Sequence, residues 1–227
     1  MEASGPGIGD DAGGEVQPRF GLVDDEIRDE FPELHLLFVT VEATPGRSPQ
    51  GIKHRLRGMS DRFRGSHAVT MRQAPVPWAY RVFYRHIGLD PDAERTPVEA
   101  AALERLLRGA FKSRNLLDDA LTISLVETGV PIWALDAERV DGDLRLRVAG
   151  DQERLGRDGA APGVPAGKLV VADQRSALAV LFGDLAPGHG VTPGTRRMTL
   201  FTLQVAGVPR IHVEEALFTC LDVLRSR

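Results

Sequence analysis

Three aspartates lie close together in the segment ALDAERVDGD, which spans residues 134–143. They are Asp136, Asp141 and Asp143, and neighbouring carboxylates can divide the roles of general acid and general base between them. Asp141 precedes Gly142, and Asp-Gly is also a common dipeptide of tight turns, so we expect a turn between two strands there. Asp136 follows an apolar step, where burial can matter, and it is the acid that we place in a candidate site.

Other catalytic chemistries have little support in the sequence. No G-x-x-x-x-G-K-[ST] phosphate loop, no dinucleotide fingerprint and no G-x-S-x-G nucleophile elbow occurs. The six histidines are scattered and Cys220 is the only cysteine, so we expect no metal site and no cofactor. Cys220 lies in the apolar run ALFTCLDVL, which predicts a buried structural thiol. His189 lies between glycines, which favours an exposed turn histidine over a catalytic base.

Charge is distributed unevenly along the chain. The net charge of −4 argues against a dedicated nucleic-acid binder. Residues 1–33 carry ten acids, whereas residues 51–86 carry eight lysines and arginines against one acid. This basic stretch can meet phosphates. The candidate phosphate contacts are Lys53, Arg55, Arg57, Arg62 and Arg64. The alternative is a solvated helix face whose charge the acidic N-terminal region balances.

The N-terminal composition indicates a tail in front of one domain. Residues 1–19 are rich in Gly, Asp and Pro and predict a disordered tail, which leaves residues 20–227 as a single domain. No apolar run approaches about 18 residues, and the N-terminus has neither the basic nor the apolar region of a signal peptide. We therefore expect a cytoplasmic protein without a membrane partner.

Helices dominate the first half of the chain and strands the second. Thr96, Pro97 and Glu99 form a capping-box signature, and Ser48-Pro49 is typical of an N-cap followed by the first helical residue. The predicted helices follow Ser48-Pro49 and span residues 76–88, 98–109, 115–128 and 212–225. The predicted strands span residues 33–43, 144–148, 168–173, 177–183 and 198–207. This order predicts an α+β fold, with mixed β-sheet layers and flanking helices, rather than a doubly wound sheet.

An ordered series of short pieces carries a resemblance to a known domain. The series comprises Asp119, Glu127-Thr128-Gly129 before Pro131, Ala134-Leu135-Asp136, Val140-Asp141-Gly142, Arg147-Val148-Ala149, Val171-Ala172-Asp173, Phe182-Gly183, Gly190-Val191 and Thr195. It resembles the B3/B4 domain of the phenylalanyl-tRNA synthetase beta subunit. The upstream region, through the helix WAYRVFYRHIG, is similar to the free-standing relatives of that domain. The resemblance covers most of the chain and implies a single B3/B4-like α+β domain.

The resemblance also implies an amino-acid pocket, in which several residues differ from those of the family. In that family the domain forms an amino-acid pocket that hydrolyses tRNA mischarged with tyrosine. By position, the family's asparagine falls at Thr122, its histidine at Trp133 and its glutamate near Phe201, while a pocket glycine is kept as Gly183. A site that favours tyrosine needs polar groups for the hydroxyl, so the implied pocket, with Asp136 nearby, is more apolar and has lost that specificity. Alternatively, Trp133 and Phe201 fill the pocket.

Three functions are compatible with these residues. The first is aminoacyl-tRNA binding or editing, with an amino-acid-like ligand in the pocket and tRNA on the basic stretch. The second is a small-molecule enzyme that reuses the pocket, for instance to condense an aromatic amino acid or amine with an aldehyde, with Asp136 or Glu127 in proton transfer. The third is a non-catalytic binding module, which is favoured if Trp133 closes the pocket.

Overall fold

The computed structural model describes residues 16–63, 65, 70–158 and 161–226, and it has an α+β fold with two four-stranded sheets. The helices are α1 (Asp25–Glu30), α2 (Gln50–Arg62), α3 (Pro75–His86), α4 (Pro97–Arg108), α5 (Leu116–Thr128) and α6 (Arg210–Arg225). The strands are β1 (Arg19–Phe20), β2 (Leu22–Val23), β3 (His35–Glu42), β4 (Ile132–Asp136), β5 (Arg145–Val148), β6 (Leu169–Ala172), β7 (Ala177–Val180) and β8 (Arg197–Gln204). The predicted fold class is confirmed.

Parts of two predictions fall outside the described residues. These are residues 1–15 of the expected tail and Arg64 of the basic stretch. Arg19, the last residue of the expected tail, already belongs to β1 and is paired with Phe38 of β3. Regular structure therefore begins inside the segment that composition alone assigns to the tail.

The two sheets differ in how their strands run. The first has the order β1-β3-β8-β4 and is antiparallel throughout, and β3 and β8 pair along their full eight residues. The second has the order β2-β5-β6-β7, in which β2 and β5 are parallel and the other pairs are antiparallel. Strand β4 lies at an edge of the first sheet, where it pairs with β8.

The faces of the first sheet pack against different partners. Helices α5 and α6 pack against each other, and they contact β4 and β8 respectively. Helix α3 is joined to β8, because the hydroxyl of Tyr80 donates a hydrogen bond of 2.6 Å to the carbonyl oxygen of Leu203. Trp133 of β4 and Phe201 of β8 are cross-strand partners, so their side chains project from the same face of the sheet.

Helix boundaries follow the capping signals in one case and depart from them in another. The capping box of Thr96 and Glu99 is confirmed, and α4 ends before Gly109, which has a left-handed φ of 77°. The predicted N-cap role of Ser48 is wrong, because Pro49 occupies the N-cap position and α2 begins at Gln50. The Ser48 hydroxyl instead donates to the buried carboxylate of Asp119, which needs such donors because it is shielded from water.

Two strands end earlier than the apolar pattern predicts. Strand β7 ends at Val180, because the next three residues form a turn in which the Gly183 N–H donates to the Val180 carbonyl oxygen. Strand β8 ends at Gln204, short of the predicted residue 207. Gly142, where a turn was predicted, has a left-handed φ of 78° in a bend between β4 and β5, and these two strands belong to different sheets.

Burial at the C-terminal helix matches the sequence interpretation of its cysteine. Cys220 is fully buried in α6, as predicted, and burial raises the pKa of its thiol to about 12. Within the part of the chain that the structure describes, no helix is both long and apolar enough to cross a membrane.

Candidate functional site

Six aromatic side chains meet between the first sheet and α3, and we call them the aromatic cluster. Its members are Tyr80, Phe83, Tyr84, Trp133, Phe182 and Phe201. The rings of Trp133 and Phe201 are stacked, with centroids 5.5 Å apart and an interplanar angle of 17°. Phe182 contacts Trp133 edge-on at 5.4 Å and Tyr84 at 4.4 Å. The cluster therefore fills the space beside Trp133 with ring surface.

Phe182 enters the cluster from a strained turn. Its φ is 59°, in the left-handed region that L-residues with a side chain rarely adopt. The turn is closed by the hydrogen bond from the Val180 N–H to the Asp184 carbonyl oxygen and by the one from Gly183 to Val180. Ring contacts with four cluster members are the interactions that can offset the backbone strain.

The two tyrosines of the cluster are held neutral. Burial raises the pKa of Tyr80, whose hydroxyl donates to the main chain of β8. Burial also raises the pKa of Tyr84, and the negative charges of Glu94 and Glu99 raise it further. The cluster is consequently an apolar and uncharged wall at neutral pH.

A pocket of about 240 Å³ opens beside this wall, and we call it the Phe182 pocket. Its lining residues are Ile87, Leu89, Glu94, Pro165, Lys168, Leu169, Val180, Leu181, Phe182 and Gly183. Most of the lining is apolar, and among its described residues the charged side chains are one acid, Glu94, and one base, Lys168. Neither of these two has an ion-pair partner among the described residues.

The structure brings some of the predicted pocket residues together and separates others. Trp133 and Phe201 stack, and Gly183 borders the Phe182 pocket one residue beyond the ring that contacts Trp133. Thr122 lies elsewhere, in a depression of about 60 Å³ between α4 and α5. Asp136 is at the far end of β4, where its carboxylate accepts hydrogen bonds from the Glu138 N–H and from the hydroxyl of Thr195.

Two further sequence expectations concern His189 and metal binding. The expectation of an exposed turn histidine is wrong, since His189 is only 7% exposed and its carbonyl oxygen accepts from the N–H of Asp136. Its Nδ1 atom lies 3.1 Å from the carbonyl oxygen of Pro187. In the described ranges, no three His, Cys, Asp or Glu side chains are grouped so as to hold a metal ion.

The basic stretch divides into paired and unpaired cations. Arg55 forms a two-point ion pair with Glu127, at 3.0 and 2.5 Å. Arg72, Arg81 and Arg85 all contact Asp92. The acidic partners, Glu127 and Asp92, do not belong to the N-terminal region that was expected to balance the charge of the basic stretch. Burial opposes the charge of Arg81, but its hydrogen bonds and ion pairs raise its pKa.

Among the described residues of the stretch, the unpaired cations lie on one helix. They are Lys53, Arg57 and Arg62, and we call them the α2 cations. Arg57 and Arg62 are exposed and Lys53 is half-buried, and none forms an ion pair with a described residue. Of the four candidate phosphate contacts that the structure describes, these three are the ones whose charge is available to a ligand.

Sequence reasoning missed the residues that shape the pocket. Tyr84 lies in the aromatic-rich segment WAYRVFYRHIG, so a search for aromatic clustering in the sequence would find it, whereas Phe182 has no aromatic neighbour in the sequence. Glu94 and Lys168 are far apart in the sequence, and no spacing signal connects them. Only the packing of the α3–α4 connection against β6 and β7 places them around one pocket.

Comparison with known proteins gives a partial relationship. The chain matches no family model. It is 35% identical to the phenylalanine–tRNA ligase beta subunit of Pseudomonas savastanoi pv. phaseolicola over 123 residues, which is 51% of this chain and 15% of that protein. The same subunit of Haemophilus ducreyi is 38% identical over 78 residues, 34% of this chain and 10% of that protein. That of Photorhabdus laumondii is 34% identical over 100 residues, 43% and 12% respectively.

These matches support a relationship between this chain and phenylalanine–tRNA ligase beta subunits. The matched stretch covers at most about half of the chain, and the chain spans only 10 to 15% of the length of these three relatives. The relationship is therefore to one region of a much larger protein.

Proposed function

We propose that this chain is a cytoplasmic B3/B4-type module that binds aminoacylated tRNA and receives the amino acid in the Phe182 pocket. The observation that carries the proposal is the pocket itself, which combines apolar walls with one unpaired acid and one unpaired base beside Gly183. The relationship to phenylalanine–tRNA ligase beta subunits supports tRNA as the partner.

The chemistry of the pocket suits an apolar amino acid held as an ester. An aminoacyl ester presents an α-ammonium group, for which the Glu94 carboxylate is a suitable partner. Lys168 is a suitable partner for the phosphate that precedes the terminal nucleotide. At about 240 Å³, the pocket is smaller than the roughly 300–1,000 Å³ of sites for drug-sized ligands, so it suits a side chain rather than a whole nucleotide.

The tRNA body would be held mainly by charge. Lys53, Arg57 and Arg62 are the unpaired cations of α2, and each phosphate contact releases condensed counterions. Binding that depends on such contacts weakens steeply as salt is added. The Arg55–Glu127 pair is already satisfied within the fold, so we expect Arg55 to contribute little.

Binding has more support than hydrolysis. Hydrolysis of the ester needs backbone N–H donors aimed at an oxyanion, and the N–H groups of Gly183 and His189 already donate to carbonyl oxygens of their own turns. Asp136 and Glu127, the acids considered for proton transfer, do not line the Phe182 pocket and have partners elsewhere. A small-molecule enzyme that depends on those two acids consequently has less support than a binding module.

A filter-binding comparison of phenylalanine-charged and uncharged tRNA tests the proposal. We expect charged tRNA to bind at least about tenfold more tightly, equivalent to about 1.4 kcal/mol. Glu94→Gln should remove most of this difference and leave the binding of uncharged tRNA unchanged. Glu138→Gln is the matched control, because Glu138 is an exposed acid outside the pocket.

Two results would contradict the proposal. One is equal affinity for charged and uncharged tRNA, which would remove the amino acid from the interaction. The other is affinity that does not change between about 50 and 200 mM salt, since phosphate contacts require a salt dependence. The rate of amino-acid release from the charged tRNA, measured in the same samples, separates binding from editing.

A further inference from the structure

A second group of unpaired cations comes from elements other than α2 and shares no lining residue with the Phe182 pocket. Arg197 is the first residue of β8 and Arg196 directly precedes it, and Arg225 is in the last turn of α6. All three are exposed, and they line one pocket of about 690 Å³, which we call the arginine pocket. The other lining residues are Glu42, Ala43, Thr44, Leu116, Leu224 and Ser226.

Ion pairs within the described part of the fold do not explain why these three positive charges lie together. None of the three arginines forms an ion pair with a described residue, although many other arginines of the chain do. Among the described lining residues, Glu42, the cross-strand partner of Arg197, is the single acid, so these residues carry three positive charges against one negative charge. Arg225 also complements the negative end of the α6 dipole, but this does not apply to Arg196 or Arg197.

The shape and chemistry of the arginine pocket indicate an extended anionic ligand. The pocket is wide and open, larger than a single small anion requires. Guanidinium groups match phosphate oxygens in a two-point geometry. No aromatic side chain is among the lining residues, so the pocket offers no surface for stacking a base. These features fit a sugar–phosphate backbone, bound without regard to base sequence.

We propose that the arginine pocket is a second RNA-binding site, in which Arg196, Arg197 and Arg225 contact the phosphate backbone of the bound tRNA. The choice of tRNA as the nucleic acid rests on the proposed function. The site itself rests on three unpaired cations around one open pocket, at the end of the first sheet where β3 stops and β8 begins. The chain would then hold RNA at the arginine pocket as well as at the α2 cations.

The salt dependence of tRNA binding tests this site. Each phosphate contact contributes about 0.7 to 0.9 to the slope of log affinity against log salt concentration. The variant R196A/R197A/R225A should therefore lower the magnitude of the slope by roughly 2 to 3. The variant R196K/R197K/R225K keeps the charges and should retain most of the slope. The matched control is R95A/K112A/R139A, three exposed cations outside the arginine pocket.

The outcomes separate this inference from the proposed function. A loss of slope in the arginine-pocket variant, with a change of less than about 1 in the control, supports the site. An equal loss in both variants overturns it, because only net charge would then matter. An unchanged slope in the arginine-pocket variant overturns it and leaves the proposed function standing, and K53A/R57A/R62A should then reduce binding. Absence of tRNA binding by the unaltered chain overturns both.

Discussion

Replacing Phe182 by alanine and by glycine tests whether its turn is strained. Both variants remove the ring from the aromatic cluster, so both lose its contacts with Trp133 and Tyr84. Only glycine also removes the steric cost of the φ of 59°. The difference between the two variants therefore reports the backbone and not the ring.

The expected magnitudes follow from burial and from backbone geometry. Truncating a fully buried phenylalanine to alanine costs about 3–5 kcal/mol, and Phe182 is half-buried, so F182A should lower the free energy of unfolding by about 2 kcal/mol. A left-handed conformation costs an L-residue about 1–2 kcal/mol. Glycine loses about 0.5–1 kcal/mol more backbone entropy on folding. F182G should thus be more stable than F182A by about 0.5–1 kcal/mol.

Urea unfolding followed by tryptophan fluorescence measures both variants. Trp133 lies in the cluster and Trp78 is 50% exposed, so a W78F background isolates the signal of the cluster. Val180 provides the matched control, because it precedes the same turn and its φ is not positive. There the order should be reversed, with V180G less stable than V180A. If F182G proves no more stable than F182A, the strained turn is refuted.

Two further predictions concern charged groups. Burial opposes ionisation of Asp173, but backbone N–H donors and Arg157 lower the pKa of this carboxyl group in the folded state. The ionised Asp173 therefore contributes its full stabilisation above about pH 4, and this contribution is lost as the pH falls towards the lower pKa of the folded state. D173N should therefore flatten the acid side of a plot of unfolding free energy against pH, and an unchanged acid side would contradict this. R81M leaves Glu99 buried without its closest ion-pair partner and should cost about 3 kcal/mol in urea unfolding, whereas the exposed control R85M should cost less than about 1 kcal/mol.

Local signals predicted the elements well because their causes are local. The capping box at Thr96 and Glu99 needs only residues three apart, and the turn at Gly142 needs only one glycine with a positive φ. Ser48 carried an equally local signal that failed, because the buried carboxylate of Asp119, distant in sequence, takes the hydroxyl. The N-cap prediction at Ser48 therefore failed because a long-range polar contact outweighed a local preference.

The candidate site shows the same division. Sequence comparison by position singled out Trp133 and Phe201, and the structure stacks them. The sequence did not predict that the ring of Phe182 would lie beside Trp133. That position depends on the backbone conformation of Phe182 itself and on the position of α3. The ion pairs of Arg72 and Arg81 were likewise not predicted, because their acidic partners follow the basic stretch in the chain.

The sequence by itself determined the α+β class, the positions of most helices and strands, and the aromatic character of the positions of Trp133 and Phe201. These properties depend on residue type and short-range spacing, which the chain carries without folding. Tertiary structure alone decided that the aromatic residues form a closed wall, that the Phe182 pocket lies beside it with Glu94 and Lys168, and that three arginines from two elements share one pocket. Those arrangements depend on which distant segments pack together, and no local pattern records that choice.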